Sequence, residues 1–519
     1  TLGRITKYYY GYRHGFTKEV DAGVRQIGGA SKSVAKAEYW RRAARKAGAD
    51  VWLCSLGYGG LVQNGTLKGV VVATPLGPGV VLADVVVDAT GKSDIAAAAG
   101  AETRFVSENH IGMQGAGLPP IALGAHYTNT DYMFADDTDA VDYRQLFIYA
   151  REKFKSAYDL GQLVDTRERR RVVGDVVISP MDMMVGRTWR DTISIHRSNF
   201  DSHGFTVHPL FLIRPPSRRA LKVHVPLRAL LPRGLHNILV TGLGASAHRD
   251  AIPVIRMQPC VQNQGYAAGC LAAAAAKAGT TVRETNLAPV RKHLVEKGNL
   301  PAKVLDHEDQ KPPSPTRVAE AVRKVGNDYQ DLEIILVRPA LALPRLRTAH
   351  DKASDKTQRR IYAHILGMLG DETAAGTLAQ TIREFDQWDK GWNYKGMGQY
   401  GRSMSQLDSY IIALGRAGDP GALDAILAKT ALLDADEAFS HHRACALALE
   451  AMASELSAHQ RQRAAQVLAG VLGEPDMTGH ATVTLADSRQ RANRRGSRDT
   501  TARNQALREL VVARALYRL

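Results

Sequence analysis

Three histidines and an aspartate crowd into one stretch, Ile195-His196-Arg197-Ser198-Asn199-Phe200-Asp201-Ser202-His203-Gly204-Phe205-Thr206-Val207-His208. Taking a proton from a hydroxyl while hydride leaves the adjoining carbon needs a group that titrates near neutrality, and histidine is that group. His196, His203 and Asp201 are therefore candidates for a general base. The same cluster can also be read as a metal site or as a set of structural hydrogen bonds. His248, in His248-Arg249-Asp250, is a rival base. Arg167-Glu168-Arg169-Arg170-Arg171 could grip a carboxylate or phosphate through paired N–H donors. A solvated or internally paired strand fits that run equally well. His441-His442 reads as a helix-packing feature.

Such groups need a frame. Asp84-Val85-Val86-Val87-Asp88-Ala89-Thr90-Gly91 is an apolar run that stops at a tight turn, the pattern of a parallel strand covered on both faces. His236-Asn237-Ile238-Leu239-Val240-Thr241-Gly242 is a second glycine-ended run, followed by Leu243-Gly244-Ala245-Ser246 and a long helix over 255–278. Small residues after a strand let backbone amides approach a pyrophosphate, and a helix N-terminus favours negative charge. These two ends must share one crevice if they serve one cofactor. On opposite sides of the molecule they could not.

Around them the spacing predicts an amphipathic helix over 34–47, ended by Gly48, and a short strand over 49–54. Two strands flank Asn64-Gly65, with a further partner over 79–82. Residues 102–235 alternate short strands with loops and one helix over 143–159, as in a substrate domain inserted in an α/β scaffold. Asp306 to Thr316, polar and proline-rich, reads as a linker. Beyond it strand signals vanish. Ile365 to Asp371 with Ala374 resembles Ile412 to Asp419 with Ala422, an offset of about 48 residues that suits HEAT-type helical repeats. A third pair spans 440–471, and Arg489 to Arg498 reads as an exposed basic loop.

The 519 residues imply two to four domains. No apolar run reaches the about 18 residues of a membrane span. The cysteines are scattered without a CxxC, against a disulfide framework or a zinc site, and do not decide the compartment. The net charge of +16 permits anionic partners. No nucleic-acid-binding signature accompanies it, so nucleic acid is not expected as a partner.

The string from Gly48 to Ala101 resembles the middle of the FAD-dependent oxidoreductase family related to glutathione reductase and succinate dehydrogenase flavoproteins, in its bacterial type. The likeness continues in Arg167 to Asp175, in Val225-Pro226-Leu227-Arg228-Ala229-Leu230-Leu231-Pro232-Arg233-Gly234, and in Ser246-Ala247-His248 through Ile255-Arg256 to Gly269. It implies an α/β FAD/NAD(P)-binding (GR2-like) domain with an inserted β-rich substrate domain, followed by an all-α HEAT-like solenoid. The expected divisions are 1–101 and 236–305 for the FAD-binding domain, 102–235 for the substrate domain, 306–318 for the linker and 319–519 for the repeats. It further implies that Leu56 and Gly57 meet the adenine half of FAD, that Thr90 and Gly91 flank the ADP, that Gly242, Gly244 and Ser246 approach the pyrophosphate or ribityl chain, and that Asp250, Ile255 and Arg256 lie near the ribityl and the ring. The family opens with strand, GxGxxG and helix. Gly112 to Gly117 only imitates that unit, since no apolar strand precedes it. The ADP-binding half is therefore expected from an N-terminal fragment or a second subunit. The expected activity is hydride transfer from a small polar substrate, a sugar or hydroxy compound, to FAD. The rival is a non-catalytic helical scaffold carrying a degenerate flavoprotein domain.

Overall fold

The structure, a computed structural model, describes residues 11–29, 32–105, 116–117, 140–141, 144, 148, 165–166, 170–202, 204–216, 219–395, 403–481, 484–492 and 500–519. Expectations for Thr1 to Tyr10, for Arg167 to Arg169, for most of 143–159 and for His203 lie outside the described residues.

Two helices open the described chain, α1 (Phe16–Ile27) and α2 (Lys32–Lys46), the second closed by Gly48 at φ +70°. Then β1 (Leu56–Gln63), β2 (Thr66–Thr74) and β3 (Gly77–Leu82) form an antiparallel meander. Its first turn is Asn64-Gly65 with both residues at positive φ, the twist that a tight hairpin demands. The strand expected over 49–54 is absent. The segment is an exposed turn with Cys54 at φ +54°, because no neighbouring strand takes up its backbone groups.

The decisive element is β4 (Val86–Asp88). It pairs in parallel with β11 (Ile238–Val240), Val86 opposite Ile238 and Asp88 opposite Val240. Both strands therefore run toward their glycines in the same direction. Helix α3 (Asp94–Ala98) lies across the meander, where Gly57 and Gly60 leave room for Ile95 and Ala99. Leu67, Val86, Ile95, Ala96, Val172, Ile238 and Val240 form the small core beneath. Val87 on β4 is 36% exposed, and among the described residues β11 is the sole strand partner of β4.

Between them, β5 (Thr103–Phe105) pairs with β8 (Arg170–Val172), β6 (Ala116–Gly117) with β7 (Asp165–Thr166), and β9 (Thr192–Ser198) with β10 (Leu221–Pro226). Short helices α4 (Pro180–Met184) and α5 (Pro209–Ile213) flank the last ribbon. The helix expected over 255–278 is two: α6 (Ile252–Ile255) and α7 (Gln258–Ala278). Met257 is extended and Pro259 stands in the first turn, where a missing N–H costs nothing. Helix α8 (Leu287–Glu296) follows. The expected linker is a strap. Gln310 N–H donates to Thr188 O at 3.1 Å, and Arg228 joins Asp191 to Asp309.

From Pro315 on the chain is helical. Lys356–Met368, Gln406–Ala417, Phe439–Met452 and Thr501–Arg518 touch in one row, and Ala375–Arg383, Leu423–Thr430 and Ala458–Gly473 in a second. The two repeated turns share one construction. Gly370 (φ +83°) and Gly418 (φ +75°) end a helix, and Asp371 and Asp419 cap the next turn through Thr373 N–H and Gly421 N–H. Of the expected basic loop over Arg489 to Arg498, the first residues to Ala492 end a helix over Leu485–Ala492, and the rest lies outside the described residues. Rows and ribbon share one apolar core, from Ile178 and Ile195 through Phe211 and Leu212 to Leu414, Phe439 and Leu507. Among the described residues no helix is long and apolar enough to cross a membrane.

Equivalent glycines let the first row close. A Cβ on Gly367 would stand 2.7 Å from Ala413 O, and one on Gly415 would stand 2.3 Å from the Ala448 Cα. Gly415→Ala should therefore push two helices apart and cost about 1–3 kcal/mol by overpacking, against the small gain in helix propensity. Chemical denaturation of the full chain should show a lower midpoint. An unchanged or raised midpoint would refute the close packing.

Candidate active site

The site begins with Asp88. Its buried carboxylate accepts from Thr90 N–H (3.0 Å), Thr90 Oγ1 (2.7 Å) and Ala96 N–H (3.0 Å), folding Ala89-Thr90-Gly91 into a turn over the end of β4. Thr90 in turn accepts from Asp94 N–H at 2.9 Å. The Thr90 hydroxyl thus builds the turn, leaving backbone to face a ligand. Gly91, at φ +85°, has open space where a Cβ would be.

Across the pair, Thr241 N–H donates to Asp88 O at 3.0 Å, and Ser93 Oγ donates to Gly244 O at 2.9 Å. The two turns are therefore tied together at one end of the β4–β11 pair. Gly242, at φ +71°, meets only Val261 at 3.6 Å. Its N–H is held by Gln264 Oε1 at 2.8 Å, from within α7. Gly244 is a glycine because Ser93 Oγ occupies the place of its Cβ, 2.4 Å away.

Several expected cofactor contacts are otherwise engaged. The Ser246 hydroxyl is buried and accepts Gly174 N–H at 2.9 Å, so it fastens the chain after β8 and does not face a ligand. Ile255 is enclosed in the core. Gly57 serves α3 packing, and Leu56 beside it is 65% exposed. Asp250 is buried and accepts from Val207 N–H (2.8 Å) and His208 N–H (2.7 Å), with Arg249 Nε at 3.3 Å. Burial works to raise its carboxyl pKa, but Arg249, His248 and those N–H groups hold it below the ordinary value. It is a clamp on residues 207–208. Arg256 donates to Asp201 O at 2.6 Å, joining α6 to the candidate-base segment.

The histidines separate. His196, on β9, is 0% exposed against Gln264, and burial pushes its pKa down to about 4. It belongs to packing and supports the glutamine that holds Gly242; the expectation of a base there is corrected. His248 and His208 stand edge to face, ring centres 5.0 Å apart. The Nδ1 of His248 accepts Asp250 N–H, and that of His208 accepts Leu210 N–H, each at 3.1 Å. A neutral imidazole whose Nδ1 accepts carries its proton on Nε2. Burial first, then His208, Arg249 and Arg171, drive the His248 pKa down to about 4 despite Asp250. As held, His248 is a neutral hydrogen-bond donor, not the rival base. Asp201, in the same segment as His208, has its side chain half-buried.

Two further groups are absent from the sequence-based set. Lys36 on α2 is buried, donates to Gln258 Oε1 at 2.9 Å, and so stands over the first turn of α7. Burial lowers its pKa to about 8, opposed by Asp21. Arg443 reaches in from the helical rows. The first could have been sought as a cation facing a helix N-terminus, but nothing in the sequence pairs α2 with α7. In those rows, His441 Nδ1 donates to the buried Asp408 carboxylate at 2.6 Å, and its ring lies flat on Trp388. Among the described residues no group of His, Cys, Asp and Glu could hold a metal ion.

Residues 139–294 match the family described as FAD dependent oxidoreductase. That family is FAD-dependent, so FAD is the cofactor to which this part of the chain is matched. No curated protein and no solved structure matches the chain. The matched region holds β9, β10, β11, the Gly242–Gly244 turn, both paired histidines and all of α7.

Four rings, the buried His196 and His442 and the half-buried His224 and His248, take protons only near pH 4 in the folded chain, whereas the ordinary value is 6.5. The unfolded chain therefore binds more protons between these values, and stability should fall as pH drops from 6.5 toward 4. His441, whose pKa Asp408 holds up against burial, opposes this with its own smaller window above 6.5. Urea denaturation at about pH 7.5, 6 and 5 should give a declining midpoint, with a shallower decline in His248→Gln. A flat midpoint would mean that these rings are not enclosed.

Proposed function

We propose that this chain carries the catalytic part of an FAD-dependent oxidoreductase that takes hydride from a small polar substrate, a sugar or other hydroxy compound. The observation that supports it is the parallel pairing of β4 with β11, which brings Gly91 and Gly242 to one end of one pair. Open space at Gly91 and a near-open position at Gly242 suit a close-lying phosphate-bearing group. When bound, the flavin supplies the hydride acceptor.

The remaining work falls to side chains and backbone. The first turn of α7 and the ammonium of Lys36 favour negative charge beside that turn. The Nε2–H groups of His248 and His208 can hold a substrate oxygen. The proton of the substrate hydroxyl then goes to Asp201 or His203, the candidates left once His196 is enclosed and His248 is fixed as a donor. An N-terminal fragment or second subunit would lie along β4, where Val87 is 36% exposed. That addition would supply the adenosine-binding half. Residues 1–101 with 236–305 form the cofactor domain in this reading, 102–235 the substrate domain, and the helical rows are HEAT-like repeats.

The full chain, purified from its own cells with whatever accompanies it, should be yellow, with absorbance at about 450 nm that bleaches anaerobically on adding its substrate. A colourless preparation that takes up no FAD in the presence of those partners would sink the reading. Gly91→Val and Gly242→Val place a β-branched side chain at positive φ beside the cofactor. Both should lose flavin while keeping the far-ultraviolet circular dichroism of the parent.

A further inference from the structure

Among the described residues the segment Phe205 to His208 has no partner strand, yet its backbone is gripped group by group. Arg249 donates to Phe205 O at 2.6 Å. Ser403 Oγ accepts Thr206 N–H at 3.3 Å. Arg443 Nη2 donates to Thr206 O at 2.8 Å. Asp250 accepts from Val207 N–H and His208 N–H. Two of these anchors, Ser403 and Arg443, come from the helical rows. Arg443 also lies with its guanidinium 3.9 Å over the Phe205 ring, and Phe439, one helical turn earlier, packs on the same ring at 5.9 Å. Arg443 is 3% exposed.

Holding a guanidinium in such a place is costly. Burial first, and Arg249 second, push its pKa down to about 9, which still leaves it charged at neutral pH. An apolar side chain of similar volume would fill the space without that cost. What an apolar side chain cannot do is fix a carbonyl and a ring face together with a planar, forked group.

We infer that Arg443 is a positioning residue: by fixing the Phe205 ring and the Thr206 carbonyl from the helical rows, it sets where His208 stands against His248. The helical rows are then part of the candidate active site and not an appended module. The inference rests on the proposed function only for what the histidine pair does; how the pair is held is independent of any cofactor.

The test reads the imidazole nitrogens directly. In the full chain labelled with nitrogen-15 and free of FAD, His208 and His248 should show the Nε2–H tautomer at neutral pH, assigned by loss of each signal in His208→Gln and His248→Gln. Arg443→Met should move the His208 signals toward tautomer-averaged values, and Arg443→Lys, which keeps a donor but loses the planar stack, should move them less. Glu450→Gln, which loses the pairing of the Phe439–Met452 helix with Arg514 and Arg518, should leave them in place. Retained circular dichroism shows which variants are folded. If Arg443→Met does not fold, Arg443→Lys and Ser403→Ala are read by the same criterion. Folded variants with unmoved His208 and His248 signals would overturn the inference. A chain that never takes up FAD would overturn the proposed function and leave these spectra as they are.

Discussion

Three residues of β4 beside three of β11 make a very small sheet, but the candidate site depends on that pairing. A parallel pair needs a crossover, and here the crossover carries His196, Asp201 and His203 and the β9–β10 ribbon, while His248 follows β11. The register sets Asp88 level with Val240, so the turn after each strand begins at the same height. From there a few side chains finish the geometry. Asp88 folds the first turn, Ser93 ties it to the second, and Gln264 holds the second to α7. Shifting the register by one residue would exchange the buried and open faces of both strands and separate these contacts.

A second set of constraints lies on the other side of α6. Asp250 faces Arg249 directly, and it also accepts from the backbone of residues 207 and 208. Arg443 completes the grip from the helical rows. Ser409 donates to Leu212 O, extending the same seam by one helical turn along α5. Since one apolar core runs through this seam, the rows cannot swing as a separate body without exposing buried arginines. A buried charge cluster of this kind adds little net stability, but it admits few alternative arrangements.

Local chemistry was legible in the sequence where it alone decides the structure. Asn64-Gly65 sets a tight hairpin, Gly370-Asp371 and Gly418-Asp419 set the same helix end and cap twice, and the two glycine-ended runs are strands. Roles that depend on distant partners were not legible. The type of Ser246 suits a phosphate contact, yet Gly174 takes its hydroxyl. His196 lies in a segment suited to a base, but strand alternation and α7 enclose it. Asp88 was readable in principle, since an aspartate two residues before a threonine is a turn signal. Arg443 was not: it is one arginine among many on an apolar helix, and its meaning comes only from Phe205.

The family likeness and the strand geometry bear on the flavin reading from different residues. The match begins at residue 139, so it includes Gly242 and α7 but neither β4 nor Gly91. The parallel pairing is a property of backbone groups at Val86 to Asp88 and owes nothing to that match. A strand outside the matched region thus ends beside the glycine turn inside it, with a left-handed glycine and open space facing the same end. The two lines of support thus meet at the Gly91–Gly242 end of the pair, one from the matched family and one from the backbone register.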